Sequence, residues 1–150
     1  MSIDAGNIAR RASSSFFVEG ARGSAPGAPE WLYHGTSVHA ARSIARDGLL
    51  HAGPPWSDEE SFWETFGPAG VASYWTSHAA FAEAEFVDGG VLLRTRMPPD
   101  AYLIYPSDEA DEWLIPRDVA AAQIEVRVGR ARTWLPLIEA VRQRKLPRKS

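Results

Sequence analysis

The chain has 150 residues, of which 45% are hydrophobic and 23% charged, with a formal net charge of −3 and no cysteine. That length suits one domain with a real core, and the lack of cysteine excludes a disulfide framework, a thiolate nucleophile and a Cys-based zinc site. No apolar run is long enough to span a bilayer, and none of signal-peptide length follows Arg10 and Arg11, so the expectation is a cytoplasmic protein, or one delivered into a target cell without a cleavable signal, and no membrane partner. The charge is uneven. From Arg127 to Ser150 eight basic residues face one acidic residue, a surplus of seven. A basic tail on an acidic body can touch phosphate or an acidic partner; the simpler reading is a solvated helix end.

Residues 1–29 are rich in Ala, Ser, Gly and Arg and read as a flexible arm, with Phe16 and Phe17 as its docking residues. The folded domain is expected to run from Glu30 to Ser150. Trp31-Leu32-Tyr33 reads as a buried strand and ends in His34-Gly35-Thr36-Ser37. Val38 to Leu49 has a helical period, with Ala41, Ile44, Ala45 and Leu49 on one face and Gly48 as C-cap. His51 to Gly70 is a long aromatic loop, a candidate lid with a short helix over Asp58 to Phe66. Val71 to Thr76 reads as a strand. Ser77 is placed to cap a helix from His78 to Val87.

Asp88-Gly89-Gly90 reads as a turn, and Val91 to Met97 as an alternating strand with Arg94 and Arg96 on one side. Ala101 to Tyr105, Trp113 to Ile115 and Ile124 to Val128 read as strands, and Ser107 to Asp111 as an acidic loop. Trp134 to Arg144 reads as a final helix with Leu135, Ile138 and Val141 inward. Two helices followed by a strand-rich half suit an α+β fold better than a doubly wound parallel sheet. The sequence has neither a glycine-rich phosphate loop nor paired metal-binding histidines.

Three polar groups sit at the edges of apolar strands: His34-Gly35, Tyr74, and Glu112 before Trp113-Leu114-Ile115. Leu32-Tyr33-His34-Gly35-Thr36-Ser37, with a helix closing on Asp47-Gly48-Leu49, resembles the first motif of the ADP-ribosyltransferases. Gly70 to Ala82, containing Tyr74-Trp75-Thr76, is similar to their second motif. Asp111-Glu112-Trp113-Leu114-Ile115-Pro116 is similar to the third. The set matches the His-Tyr-Glu branch shared by diphtheria-type toxins and poly(ADP-ribose) polymerases, and the resemblance spans Trp31 to Val128.

The resemblance implies a split β-sheet sandwich with flanking helices, NAD as co-substrate and no metal. The family cleaves the nicotinamide–ribose bond through an oxocarbenium-like transition state, as in glycoside hydrolysis. It assigns Glu112 to stabilising that positive charge, His34 to the adenosine ribose, the backbone of Gly35 to the nicotinamide amide, and Tyr74 to stacking on the ring. Thr36 or Ser37 would add a hydroxyl, and Phe81 the second wall of the slot. Asp111 is the neighbour that could take the place of Glu112. Arginine-directed members carry a glutamate two positions before the essential one; here that position is Ala110, which argues against an arginine acceptor. The implied acceptor is a protein or a nucleic acid. Two further readings are a module that binds NAD or ADP-ribose without transfer, and a transferase directed to nucleic acid by the basic tail. By analogy with the family, a toxin or injected effector fits, with an antitoxin or immunity protein as partner.

Overall fold

The computed structural model describes residues 18–53, 71–84 and 90–147. Strand β1 (Trp31–Ser37) passes directly into helix α1 (Val38–Asp47). The side-chain period changes at Ser37. Before it, Leu32 and Thr36 alternate inward; after it, Val38, Ala41 and Ile44 are buried at helical spacing. The Ser37 hydroxyl accepts a bond from the Ala40 N–H at 3.0 Å, supplying one of the partners that a helix start lacks. At the other end Gly48 takes φ 81°, and its N–H donates to the Ile44 carbonyl at 2.9 Å. The left-handed conformation favours glycine there. The helix ends two residues earlier than its apolar period implied. Leu49 instead opens β2 (Leu49–Leu50), which pairs with β7 (Val119–Ala120).

The remaining strands form two antiparallel sheets in a mixed α+β architecture. The first has the order β1, β4 (Gly90–Arg96), β8 (Glu125–Val128), β9 (Thr133–Pro136); the second has the order β3 (Ser73–Trp75), β6 (Glu112–Ile115), β5 (Tyr102–Tyr105). Among the described residues the two sheets meet at a single bridge, Tyr33 with Thr76. There the Tyr33 N–H donates to the Thr76 carbonyl at 2.7 Å and the Thr76 N–H to the Tyr33 carbonyl at 3.0 Å. Helix α2 (Ala79–Ala84) lies between β3 and β4 in the chain and packs on β1. Helix α3 (Leu137–Arg142) packs on α1.

The main core collects Leu32, Leu93 and Val126 from the first sheet, Trp75, Trp113 and Ile115 from the second, and Ile44, Leu137 and Ala140 from the helices. Each fully buried Leu, Ile or Val contributes roughly 1.5–3 kcal/mol, so this cluster holds the two sheets in register. The other face of the second sheet buries Ala72, Tyr102, Ile104 and Leu114, with Tyr74 packed against them. No helix among the described residues is long and apolar enough to cross a membrane.

Three readings from the sequence change. Thr133–Pro136 is a strand, and α3 begins only at Leu137. The apparent helical spacing of Leu135, Ile138 and Val141 crosses that boundary. Leu137 and Ala140 face the core, and Ile138 is exposed. Trp134 pairs with Arg127 across a turn in which Gly129 and Arg132 have positive φ, so cross-strand pairing overrides the local pattern. Ser77 does not cap α2; its hydroxyl donates to Asp111 at 2.5 Å. Residues 18–29, read as part of the arm, are bonded to the body. Gly20 N–H donates to Leu103 O at 2.7 Å and Gly23 N–H to Ala101 O at 2.9 Å. The aromatic loop after Gly53 with its expected Asp58 to Phe66 helix, the Phe16 and Phe17 patch, and the last three residues of the expected His78 to Val87 helix lie outside the described residues.

Candidate active site

The Tyr33–Thr76 bridge is also where the two sheets part. In an antiparallel ladder, residues two apart direct their N–H and C=O to the same side. Tyr33 gives its pair to β3, so Gly35 points its pair the same way, away from β4. A continuing ladder would join Gly35 to Tyr74. Instead the His34 imidazole occupies that place: its Nδ1 lies 2.7 Å from the Tyr74 carbonyl oxygen. A carbonyl only accepts, so Nδ1 carries the proton. In the neutral ring Nε2 is then the acceptor. The side chain of His34 thus ends the β1–β3 pairing, and the Gly35 backbone points away from β4 with no β3 partner among the described residues.

His34 lies on the side of Trp75, whose ring centroid is 5.1 Å away. Tyr74 and Glu112 lie on the opposite face of the second sheet. Tyr74 is paired with Leu114, and Glu112 is two residues before Leu114, so both project to one face as diagonal cross-strand neighbours with backbones roughly 7–8 Å apart. Both are half-buried. His34 and the Tyr74–Glu112 pair therefore lie on opposite faces of the second sheet, with His34 joined to the backbone of Tyr74 and not to its phenol.

Of the other candidates, Thr36 is only 8% exposed, Ser37 is engaged as the cap of α1, and Phe81 is 37% exposed on α2. Thr36 and Ser37 are held by the strand and the cap, and Phe81 is the one with an open face.

Asp111, the rival carboxylate, is 7% exposed and fully engaged. Its Oδ1 accepts from the Thr76 hydroxyl and the Ser77 N–H, both at 2.8 Å. Its Oδ2 accepts from the Ser77 hydroxyl at 2.5 Å and the Trp113 indole N–H at 2.9 Å. His78 Nε2 lies 3.9 Å from Oδ1. A carboxylate so bonded is a structural clamp, which leaves Glu112 as the carboxylate on the Tyr74 face. The sequence signal for this clamp is thin: Thr76-Ser77 and Asp111 lie more than thirty residues apart.

Two further features were not visible in the sequence. The Arg94 guanidinium is stacked between Trp31 at 3.8 Å and Trp134 at 4.2 Å, and it is ion-paired to Glu125 at 2.7 Å. A cavity of ≈ 440 Å³ lies beside Trp31 at the start of β1, lined by Arg96, Pro98, Arg117 and Gln123 among others. Among the described residues no three of His, Cys, Asp and Glu cluster as metal ligands. Comparison of the chain with protein-family models, with curated proteins and with solved structures found no match.

Proposed function

We propose that the protein is a mono-ADP-ribosyltransferase of the His-Tyr-Glu kind, with a split-sheet ADP-ribosyltransferase fold, cleaving NAD and passing one ADP-ribose unit to a macromolecular acceptor. The observation that carries the reading is the parted β1–β3 ladder. Among the described residues it leaves the Gly35 N–H and C=O without a β3 partner, and a carboxamide needs a donor and acceptor of that kind. Tyr74 supplies an aromatic face for the nicotinamide ring. His34, its Nδ1 proton held by the Tyr74 carbonyl, is the residue assigned to a ribose hydroxyl. Glu112, on the Tyr74 face, stabilises the positive charge that develops at the ribose carbon as the nicotinamide leaves. A fixed charge of this kind is worth on the order of 10²–10³ in rate.

The test uses NAD labelled in both halves, with the wild-type chain and Glu112→Gln. The wild type should release nicotinamide. The variant should bind NAD with similar affinity and release at least about a hundredfold less. Equal turnover would remove Glu112 from the reaction, and NAD binding without release by the wild type would make the protein a binding module.

A further inference from the structure

The Asp111 carboxylate is buried, accepts four hydrogen bonds and takes no part in the reaction proposed above. Its donors come from two places. Thr76 and Ser77 follow directly on β3, the strand that carries Tyr74. Trp113 stands in β6, next to Glu112. One side chain therefore ties the exit of β3 to the entrance of β6.

The bonds reach further on each side. The Thr76 hydroxyl, while donating to Asp111, accepts the His78 N–H at 3.2 Å, so the approach to α2 is tied to the same point. Thr76 is also the residue that bridges to Tyr33. His34 is the next residue on β1. Displacement of the clamp would thus be felt at all three candidate residues, but most directly at Glu112, which is covalently joined to Asp111.

We propose that Asp111 is the positioning residue of the candidate site: by bonding the ends of β3 and β6 together it holds the Glu112 carboxylate over the face that carries Tyr74. This rests on the transferase reading. It predicts a loss in the chemical step and not in NAD binding, because the Gly35 backbone and the Tyr74 ring are set by the sheet itself. An error of about 1 Å in the placement of a reacting charge can cost on the order of a hundredfold in rate.

The experiment measures kcat and KM for nicotinamide release by the wild type, Asp111→Asn, Thr76→Val and Leu137→Ala. Leu137 is a fully buried residue of α3 outside the network, so its truncation controls for loss of stability. All proteins are assayed at a temperature where each is shown to be folded. Asp111→Asn should lower kcat by about tenfold or more with KM within about twofold, Thr76→Val should act in the same direction by about threefold, and Leu137→Ala should keep the wild-type kcat. If Asp111→Asn does not fold, Thr76→Val carries the test. Wild-type kcat in the network variants, or an equal loss in Leu137→Ala, overturns the positioning role. A wild type that releases no nicotinamide overturns the transferase reading and this inference with it.

Discussion

Replacing Asp111 by asparagine keeps the shape of the side chain and removes one acceptor. The four donors divide between the two oxygens: Thr76 Oγ1 and Ser77 N–H on one, Ser77 Oγ and Trp113 Nε1 on the other. The two hydroxyls can rotate and accept from an amide. The Ser77 N–H and the Trp113 N–H can only donate, and they stand on different oxygens. Whichever way the asparagine is turned, its NH2 meets one of them. One donor is orphaned in a site that is 7% exposed, which costs about 1–3 kcal/mol. The bonds that remain lose their charge assistance, while relief of the buried charge offsets part of that loss. The expected net destabilisation is about 1–3 kcal/mol, a fall in Tm of roughly 3–10 °C for a domain of this size. Ser77→Ala removes one adaptable hydroxyl and should cost less, about 1 kcal/mol. Asp111→Ala orphans both obligate donors and should cost more than asparagine. Urea unfolding of the three variants gives the order directly. Equal stability of Asp111→Asn and the wild type, or Ser77→Ala costing as much as Asp111→Ala, would refute the clamp.

Three other outcomes follow from particular contacts. A Cβ on Gly23 would lie 1.9 Å from the Pro98 carbonyl oxygen, so Gly23→Ala should lift residues 18–29 off β5 and cost about 2–4 kcal/mol through the lost backbone bonds; hydrogen exchange at the Gly20 and Leu103 amides reads this out. In the Arg94 stack, a double-mutant cycle of Arg94→Met with Trp134→Leu should return a coupling of about 1 kcal/mol, and additive effects would leave the stack without energetic weight. Glu139 is held below the ordinary glutamate range by its bond to Arg142, then by that to Gln143. A lowered folded pKa means that its stabilising effect is present at neutral pH and is lost as pH falls through that lowered value. NMR titration should place the Glu139 midpoint below that of exposed glutamates, and Arg142→Gln should move it upward.

Much of the local structure was legible in the residues themselves. Ala41, Ile44 and Gly48 mark α1 and its end because helical spacing and a left-handed cap are properties of a few adjacent residues. Strands β4, β5, β6 and β8 announced themselves through apolar or alternating runs bounded by Pro and Gly. The last helix starts later than its apolar spacing implies, because whether Trp134 continues a helix or pairs with Arg127 depends on a strand that the local pattern does not show. Asp111 and Ser77 read as a loop acid and a helix cap, since side-chain chemistry alone cannot say which distant donor a carboxylate will meet.

His34, Gly35 and Tyr74, expected at strand ends, stand inside β1 and β3, whereas the amino-acid order alone determined the α+β content, Glu112 at the start of its strand and the surplus of positive charge after Arg127. Those are consequences of period and composition, which act over a few residues. Only tertiary structure decided that the β1–β3 ladder stops after one bridge, that the His34 ring takes the Tyr74 carbonyl, and that Asp111 is locked away while Glu112 shares a face with Tyr74. Hydrogen-bond partners forty residues apart are chosen by how the two sheets pack, and that choice is made by the buried core between them.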